Sequence, residues 1–355
     1  MKIVHIASGD LWAGAEVQIW TLLSELVKSH EVYAILLNDG RLADELKKSG
    51  VIVEVIPEST ISFVNLIRQV AFLLKQWDVD VVHTHRQKEN IIGSIANVLS
   101  VKAKCFRTVH GSPEFALSWK QRLQRKVEHT CTRFFQHGVV AVSTVLQTHL
   151  VREFGAGKVF LIHNGIDSKQ VVSRASPGKV NLENASYHVG FVGRLVDVKR
   201  LDLVVESMAM VVNSSNRPCH LHIFGDGPLK PQLELDIKNA SLSENVTLYG
   251  HRNDVQSYIA ALDLLLMPSD HEGLPMTALE SIVLGTPIVA HAVGGLVPLL
   301  NACNLKAGLV HDHSAKGYAK VIKAFMDDAP TPCLAKEYEN EQTARRVLTM
   351  YQEAK

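Results

Sequence analysis

The chain has 355 residues, 46% of them hydrophobic and 21% charged, which is too long for one ordinary core and matches two soluble domains of roughly 150–200 residues each. A formal net charge of +1 leaves no global field to recruit nucleic acid, so any affinity for nucleic acid or membrane has to reside in a local patch. The five cysteines, Cys105, Cys131, Cys219, Cys303 and Cys333, show no CxxC or paired spacing, which argues against a disulfide framework and a zinc site and fits a reducing cytoplasm.

The opening MKIVHIASGD has only a short apolar run and reads as a first strand, not a signal peptide. No stretch approaches the ~18 apolar residues a membrane-spanning helix needs. Short β-branched runs at Lys2–Ala7, Val32–Leu37, Val51–Ile56, Val79–Thr84, Ala103–Val109 and Gly138–Val142 alternate with helical patterns such as Ala15–Ser29 and Ser62–Trp77. That alternation predicts a parallel sheet covered by helices. Between 168 and 186 periodicity is lost and Ser, Asn, Pro and Gly gather, the composition of a linker. Strand signals then resume with YHVGFVG, HLHIFG, VTLYG, DLLLMPS, PIVAH and GLVHD. The expectation is an α/β chain of two Rossmann-like, doubly wound domains facing a cleft. They are placed at 1–166 and 167–336, with a C-terminal helix in 337–355 crossing back to complete the first. In such sheets ligands bind beyond the carboxyl ends of the strands, so chemistry is sought in the loops there.

The first such loop, SGDLWAGAE, carries Gly9 and Gly14 ahead of a helix whose free N–H groups suit an anion, but it lacks both Walker and GxGxxG spacing. A plain strand-to-helix turn is the competing explanation. In DVDVVHTHRQKEN, Asp78 and Asp80 have an Asp-x-Asp spacing that some transferases use for a metal, yet they stand at the strand entry, where carboxylates are usually solvated. No metal is therefore expected. His83 and His85 lie at the exit, where one of them could reach a pocket, and RTVHGSP places His110 in the same position on the next strand.

FVGRLVDVKR sets Arg194 and Lys199 beside Gly193 at a strand exit, where both cations could meet one phosphate group. HIFGDGPLK repeats the arrangement with Gly225, Asp226, Gly227 and Pro228, although a tight turn would explain it equally. DHEGLPMTALE places Glu272 and Glu280 eight positions apart. Two carboxylates so placed could be an acid and a base, or could hold the hydroxyls of a ligand. The stretch predicts a loop through Gly273, then a helix with Pro275 in its first turn and Glu280 about five residues in. Gly273, Leu274 and Pro275 at that helix start would offer donors to an anion. Finally, SWKQRLQRKVEHTCTRFF puts Trp119, Leu123, Val127, Cys131 and Phe134 or Phe135 near helical spacing, with Lys120, Arg122, Arg125, Lys126 and Arg133 around them. The simplest expectation is an apolar stripe packed on the sheet; the alternative is a peripheral contact of 119–135 with anionic membrane.

Taken in order, WAGAE, VHTH, TVHG, HNGID, VGRLVDVK, FGDGP, EGLPMTALE and PIVAHAVGG resemble the family 4 glycosyltransferases of GT-B fold, across nearly the whole chain. The resemblance implies transfer of a sugar from a nucleotide-diphosphate sugar with retention at the anomeric carbon, without a cofactor or metal. The acceptor would be a glycan or lipid-linked sugar in cell-surface polysaccharide or lipopolysaccharide synthesis, and the enzyme would be cytoplasmic, either free or peripheral on the inner face of the cytoplasmic membrane. By the same resemblance Arg194 and Lys199 bind the donor diphosphate, Glu280 the ribose, Glu272 the donor sugar, and His110 stands near the reacting centre. Gly14 lies near the phosphates, Gly225, Gly227, Gly273, Leu274 and Pro275 line the donor site, and Asn164 and Gly165 mark the end of the first domain. Two departures stand out. WAGAE replaces a usual glycine pair, and Gly294-Gly295-Leu296-Val297-Pro298 ends on proline where a glutamate is common. A GT-B sugar-nucleotide epimerase and a non-catalytic nucleotide-sugar-binding subunit therefore stay open as alternatives.

Overall fold

In the computed structural model, residues 1–354 are described except 11, 112–118, 177, 179, 181 and 183–186, as are the side chains apart from those of 119–121 as well. Among these residues the chain forms two compact units, 1–165 together with 337–355, and 166–336. The first is built on seven parallel strands: β1 (Lys2–Ala7), β2 (Glu31–Leu36), β3 (Ile52–Val55), β4 (Val81–Thr84), β5 (Lys104–Val109), β6 (Gly138–Ala141) and β7 (Val159–Leu161), in the order 3-2-1-4-5-6-7. The second has six: β8 (Tyr187–Val192), β9 (Cys219–Phe224), β10 (Val246–Gly250), β11 (Leu264–Met267), β12 (Ile288–His291) and β13 (Leu309–Val310), in the order 10-9-8-11-12-13. Both sheets reverse their strand order once, between β1 and β4 and between β8 and β11. These are the points at which loops leaving neighbouring strands turn to opposite faces and open a crevice.

The strands form because runs such as Ile3, Val4 and Ile6, or Leu264, Leu265 and Leu266, have no polar face, and all are fully buried beneath helices on both sides. Helix Phe63–Trp77 shows the local logic. The Ser62 hydroxyl accepts from the Asn65 N–H at its start, Leu66, Ile67, Val70 and Leu74 face the core, and Asp78 ends it in the left-handed region at φ 51°. β7, whose three residues leave too little periodicity to read, is absent from the sequence expectation.

Two expectations need correction. Residues 168–174, assigned to a linker, are a helix, Ser168–Arg174, begun by the Asp167 carboxylate accepting from the Gln170 N–H at 2.9 Å. Only Val171 on it is buried, so it has almost no apolar signal. Helix Trp119–Phe135 packs only Cys131 of the expected stripe inward among the described side chains, which exclude that of Trp119: Leu123, Val127 and Phe134 are 56%, 40% and 70% exposed, while Glu128 and Thr132 are buried beside Cys131. The inward face is polar because Arg107, on β5, points at it. Its guanidinium pairs with Glu128 and donates to Thr132 Oγ1 at 3.2 Å, and Asn90 Nδ2 from the neighbouring helix donates to the same hydroxyl. A buried arginine requires such partners, and this requirement outranks the burial of Leu123 and Val127.

The C-terminal helix Asn340–Glu353 completes the first unit. Ala344, Val347, Met350 and Tyr351 join Trp20, Leu22, Leu23 and Leu26 in one core. Asn340 Nδ2 donates to the Thr21 carbonyl at 2.6 Å and the Thr343 hydroxyl to the His163 carbonyl at 3.0 Å. Gly165 permits this approach, since a Cβ there would lie 2.5 Å from Thr343 Oγ1. Met350→Ala is expected to lower unfolding stability by about 2–5 kcal/mol, read by urea titration, because the buried side chain leaves a cavity against helix Gly14–Leu26.

Candidate active site

In the first unit, the β1 exit leads to helix Gly14–Leu26, which starts one residue earlier than its apolar pattern predicts. Its N-cap, Ala13, has no side chain able to accept from the first-turn N–H groups, and exposed Gly14 is its first residue. Glu16, in that first turn, is buried and meets the guanidinium of Arg86 from the β4 exit, and Arg86 lies 3.5 Å from Asp10. Burial raises the Glu16 pKa and Arg86 opposes the shift. The WAGAE glutamate therefore ties together the two loops that flank the switch point.

Beside them lies a cavity of about 750 Å³ whose lining includes His85, Arg86, Arg107, His110 and Glu128. Burial, with Arg86 and Arg107 facing it, pushes the His110 pKa down to about 3, so the ring is neutral at physiological pH. His85 Nδ1 lies 3.1 Å from His110 Nε2, so His85 does reach the pocket edge. His83 does not: it is fully buried between Tyr351 and Thr108. Asp80 serves the fold by accepting from the Lys2 N–H at 2.8 Å. Arg86 and Arg107 were missed by sequence reasoning, though an arginine interrupting an apolar strand three residues before His110 was a usable signal.

In the second unit the switch point is flanked by the β8 and β11 exits. After β8 the chain passes Gly193 and exposed Arg194 into a short 3₁₀ turn, Asp197–Lys199, before helix Leu201–Ser214. After β11 it runs through Glu272 to helix Met276–Val283, with Pro275 as its N-cap and not within its first turn. Lys199 Nζ donates to Glu272 Oε1 at 2.6 Å, joining the two exits by an ion pair that is only partly exposed. Arg194 makes no ion pair among the described residues, so the two cations present different faces: one held, one open. The backbones meet as well, the Asp270 N–H donating to the Val198 carbonyl at 2.9 Å.

The glycines have a packing role here. A Cβ on Gly225 would fall 1.8 Å from the Gly193 carbonyl oxygen, and one on Gly227 2.4 Å from that of Leu195. The β8 and β9 exits are thus pressed together, with the Leu195 N–H donating to the Asp226 carbonyl. Likewise a Cβ on Gly294, at φ +55°, would fall 1.8 Å from the Glu272 carbonyl, and one on Gly295 1.9 Å from that of Gly273. Four loops, the exits of β8, β9, β11 and β12, are locked backbone to backbone around Lys199 and Glu272. Gly273 is half-buried and Leu274 is buried against the start of helix Met276–Val283. Pro298 occupies the third position of helix Leu296–Ala302, where no intrahelical N–H bond is lost.

Glu280 is the fifth residue of helix Met276–Val283 and is buried, accepting from Gln256 Nε2 at 2.8 Å. Burial pushes its pKa up to about 7 against the opposing pull of Gln256 and Arg174, the latter from helix Ser168–Arg174. The carboxyl holds its proton more tightly in the folded chain than in the unfolded one, where its value is 4.5. Stability is therefore expected to fall as pH rises from about 4.5 to about 7 and to level off above. Glu280→Gln keeps the neutral shape at every pH. In urea titrations at about pH 5 and about pH 8 the variant should gain on the wild type at the higher pH, by on the order of 3 kcal/mol at most.

Residues 12–170 match the sequence profile described as Glycosyltransferase Family 4, and residues 173–342 that of Glycosyl transferases group 1. The chain is 25% identical to a 2-deoxystreptamine glucosyltransferase of Streptomyces kanamyceticus, covering 74% of this chain and 72% of that one. It is 24% identical, over 92% and 91% of the two chains, to an Escherichia coli UDP-Gal:alpha-D-GlcNAc-diphosphoundecaprenol alpha-1,3-galactosyltransferase. Among solved structures, Anabaena HepE in complex with UDP-glucose superposes with a TM-score of 0.77 at 20% identity, covering 100% of this chain and 95% of that one. The fold is accordingly GT-B, and with both halves matched the chain belongs to the family 4, group 1 glycosyltransferases.

Proposed function

We propose that this glycosyltransferase moves a hexose, with retention of configuration, from a nucleoside-diphosphate sugar to a glycan or lipid-linked acceptor of cell-surface polysaccharide or lipopolysaccharide synthesis. The observation that carries this reading is the Lys199–Glu272 pair joining the two loops at the switch point of the second unit. A donor diphosphate would take Glu272's place as partner of Lys199, with open Arg194 as the second cation, and Glu272 would turn to the hydroxyls of the donor sugar. Glu280 would accept from the ribose, and the backbone of Gly273, Leu274 and Pro275 would face the phosphates. Gly14 and the cavity around His110 would serve the sugar and acceptor. The acceptor oxygen would bond to the anomeric carbon on the side from which the diphosphate departs, its proton passing to the departing phosphate oxygen. Fixed cations at that oxygen would supply the charge stabilisation that a metal provides elsewhere.

The named relatives that use or bind UDP-linked sugars make UDP-hexoses the first donors to test. A thermal-shift screen across UDP, GDP and ADP sugars should show one nucleotide raising the melting temperature, since a ligand of the folded state stabilises by mass action. Lys199→Ala is expected to cut transfer about 10²–10³-fold while leaving the fold intact. Near-normal turnover in that variant would remove Lys199 from the mechanism. Pro298 favours one second reading, a chain that binds donor without transferring it; a clear thermal shift with no turnover on any acceptor would support it.

Among the described residues no helix is long and apolar enough to cross a membrane. Exposed Leu123, Val127 and Phe134, with Arg122, Arg125, Lys126 and Arg133 exposed around them, support a peripheral contact with anionic lipid. Wild-type protein should float with anionic vesicles at low salt and a Leu123→Glu, Phe134→Glu variant should not. No flotation of the wild type at low salt defeats this part of the proposal.

A further inference from the structure

Beneath the cavity of the first unit, side chains from β1, β4, β5 and the C-terminal helix form one continuous hydrogen-bonded chain. Register pairs His5 with His83, and alternation along β4 returns His85 to the same face two residues later. The rings stack, with centroids 4.7 Å apart for His5 and His83, 5.1 Å for His83 and His85, and 5.3 Å for His85 and His110. From the far end, Thr108 Oγ1 lies 2.8 Å from His83 Nε2, and His83 Nδ1 lies 2.6 Å from the Tyr351 hydroxyl. That hydroxyl lies 3.3 Å from His5 Nε2, His5 Nδ1 2.8 Å from His85 Nε2, and His85 Nδ1 3.1 Å from His110 Nε2.

Burial holds the pKa of His5 at about 3 and those of His83 and His85 well below the usual value, so the rings are neutral. A neutral imidazole that donates at one nitrogen must accept at the other. One proton position therefore sets all the others along the chain. The Tyr351 hydroxyl has a single proton, and its two contacts are unequal. The 2.6 Å contact to His83 has the length of O–H···N donation, whereas the 3.3 Å contact to His5 fits a longer N–H···O bond. Donation to His83 makes His83 Nε2 the donor to Thr108 and leaves Tyr351 accepting from His5 Nε2. His5 Nδ1 then accepts from His85 Nε2, and His85 Nδ1 accepts from His110 Nε2.

We propose that Tyr351, acting through His5 and His85, is a positioning residue that holds His110 in the tautomer protonated on Nε2, with Nδ1 as its only acceptor. The consequence for transfer rests on the proposed place of His110 beside the reacting sugar. The last helix of the chain would then set the polarity of a ring in the candidate site, with no contact between Tyr351 and substrate.

Ring nitrogen NMR on histidine-labelled full-length protein tests this without any substrate, His110 being assigned by the signals lost in His110→Ala. The expected result is one tautomer for His110, protonated on Nε2, becoming a mixture in Tyr351→Phe, which removes the hydroxyl and keeps the ring. His5→Phe, which cuts the chain nearer His110, should do the same and serves if Tyr351→Phe folds poorly. Protonation on Nδ1 in the wild type, or an unchanged tautomer in both variants, overturns the proposal. With a donor identified, Tyr351→Phe should lower kcat roughly fivefold, the worth of about one hydrogen bond, at unchanged KM for donor. A changed tautomer with unaltered kcat, in protein whose His110→Ala variant is inactive, overturns the positioning role. Normal turnover in His110→Ala instead removes His110 from the proposed transfer site, and the tautomer measurement still decides whether Tyr351 sets the ring.

Discussion

Every candidate site residue depends on one constraint: in a parallel sheet each strand must leave by its carboxyl end and cross to a helix before the next can begin. Where strand order reverses, adjacent crossings diverge to opposite faces and no helix covers the gap. Both units reverse once, and in each the polar residues gather at the two exits beside the reversal. Arg86 and Glu16 occupy the β4 and β1 exits, Lys199 and Glu272 the β8 and β11 exits. Neither pair could form from loops on the same side of a sheet reversal with a helix between them.

Holding such loops in register is a separate problem, because exit loops have few side chains to bury. In the second unit glycine solves it by letting backbones touch. Gly225 and Gly227 bring the β9 exit onto the β8 exit, and Gly294 and Gly295 bring the β12 exit onto Glu272 and Gly273. A side chain at any of these four positions would overlap a carbonyl, so the ion pair is framed by backbone that has nowhere to move. The left-handed φ of Gly294 adds a second reason for glycine there. Pro298, at the start of helix Leu296–Ala302, leaves this frame undisturbed, since proline is tolerated in a first helical turn.

The first unit adds polar burial to such backbone contact, a Cβ on Gly9 falling 2.7 Å from the Asn38 carbonyl oxygen and one on Gly40 2.6 Å from that of Gly9. Its core holds His5, His83, His85 and Thr108 with every described ring nitrogen partnered along one chain, and Arg107 partnered by Glu128 and Thr132. Buried polar groups cost stability unless satisfied, and satisfied networks restrict the arrangements a core can adopt. The same economy explains helix Trp119–Phe135, which turns a polar face inward to meet Arg107 and leaves Leu123, Val127 and Phe134 outside.

The sequence by itself determined the fold class, all but one strand and the positions of the site loops, because continuous apolar runs and glycine-marked exits are local signals that a parallel sheet requires. It also supplied the candidate residues, since a cation or carboxylate just past a strand is visible without knowing its neighbours. Only the tertiary structure decided which of them meet: Lys199 with Glu272, 73 positions apart, and His83 with Tyr351, 268 apart. It also decided against a linker at 168–174, where a helix brings Arg174 toward Glu280, and put Leu123, Val127 and Phe134 of the expected inward stripe on the outside. Periodicity reports which residues share a face but not which face is buried. That choice depends on partners such as Arg107 and Asn90, which lie on other elements and leave no mark in the local pattern.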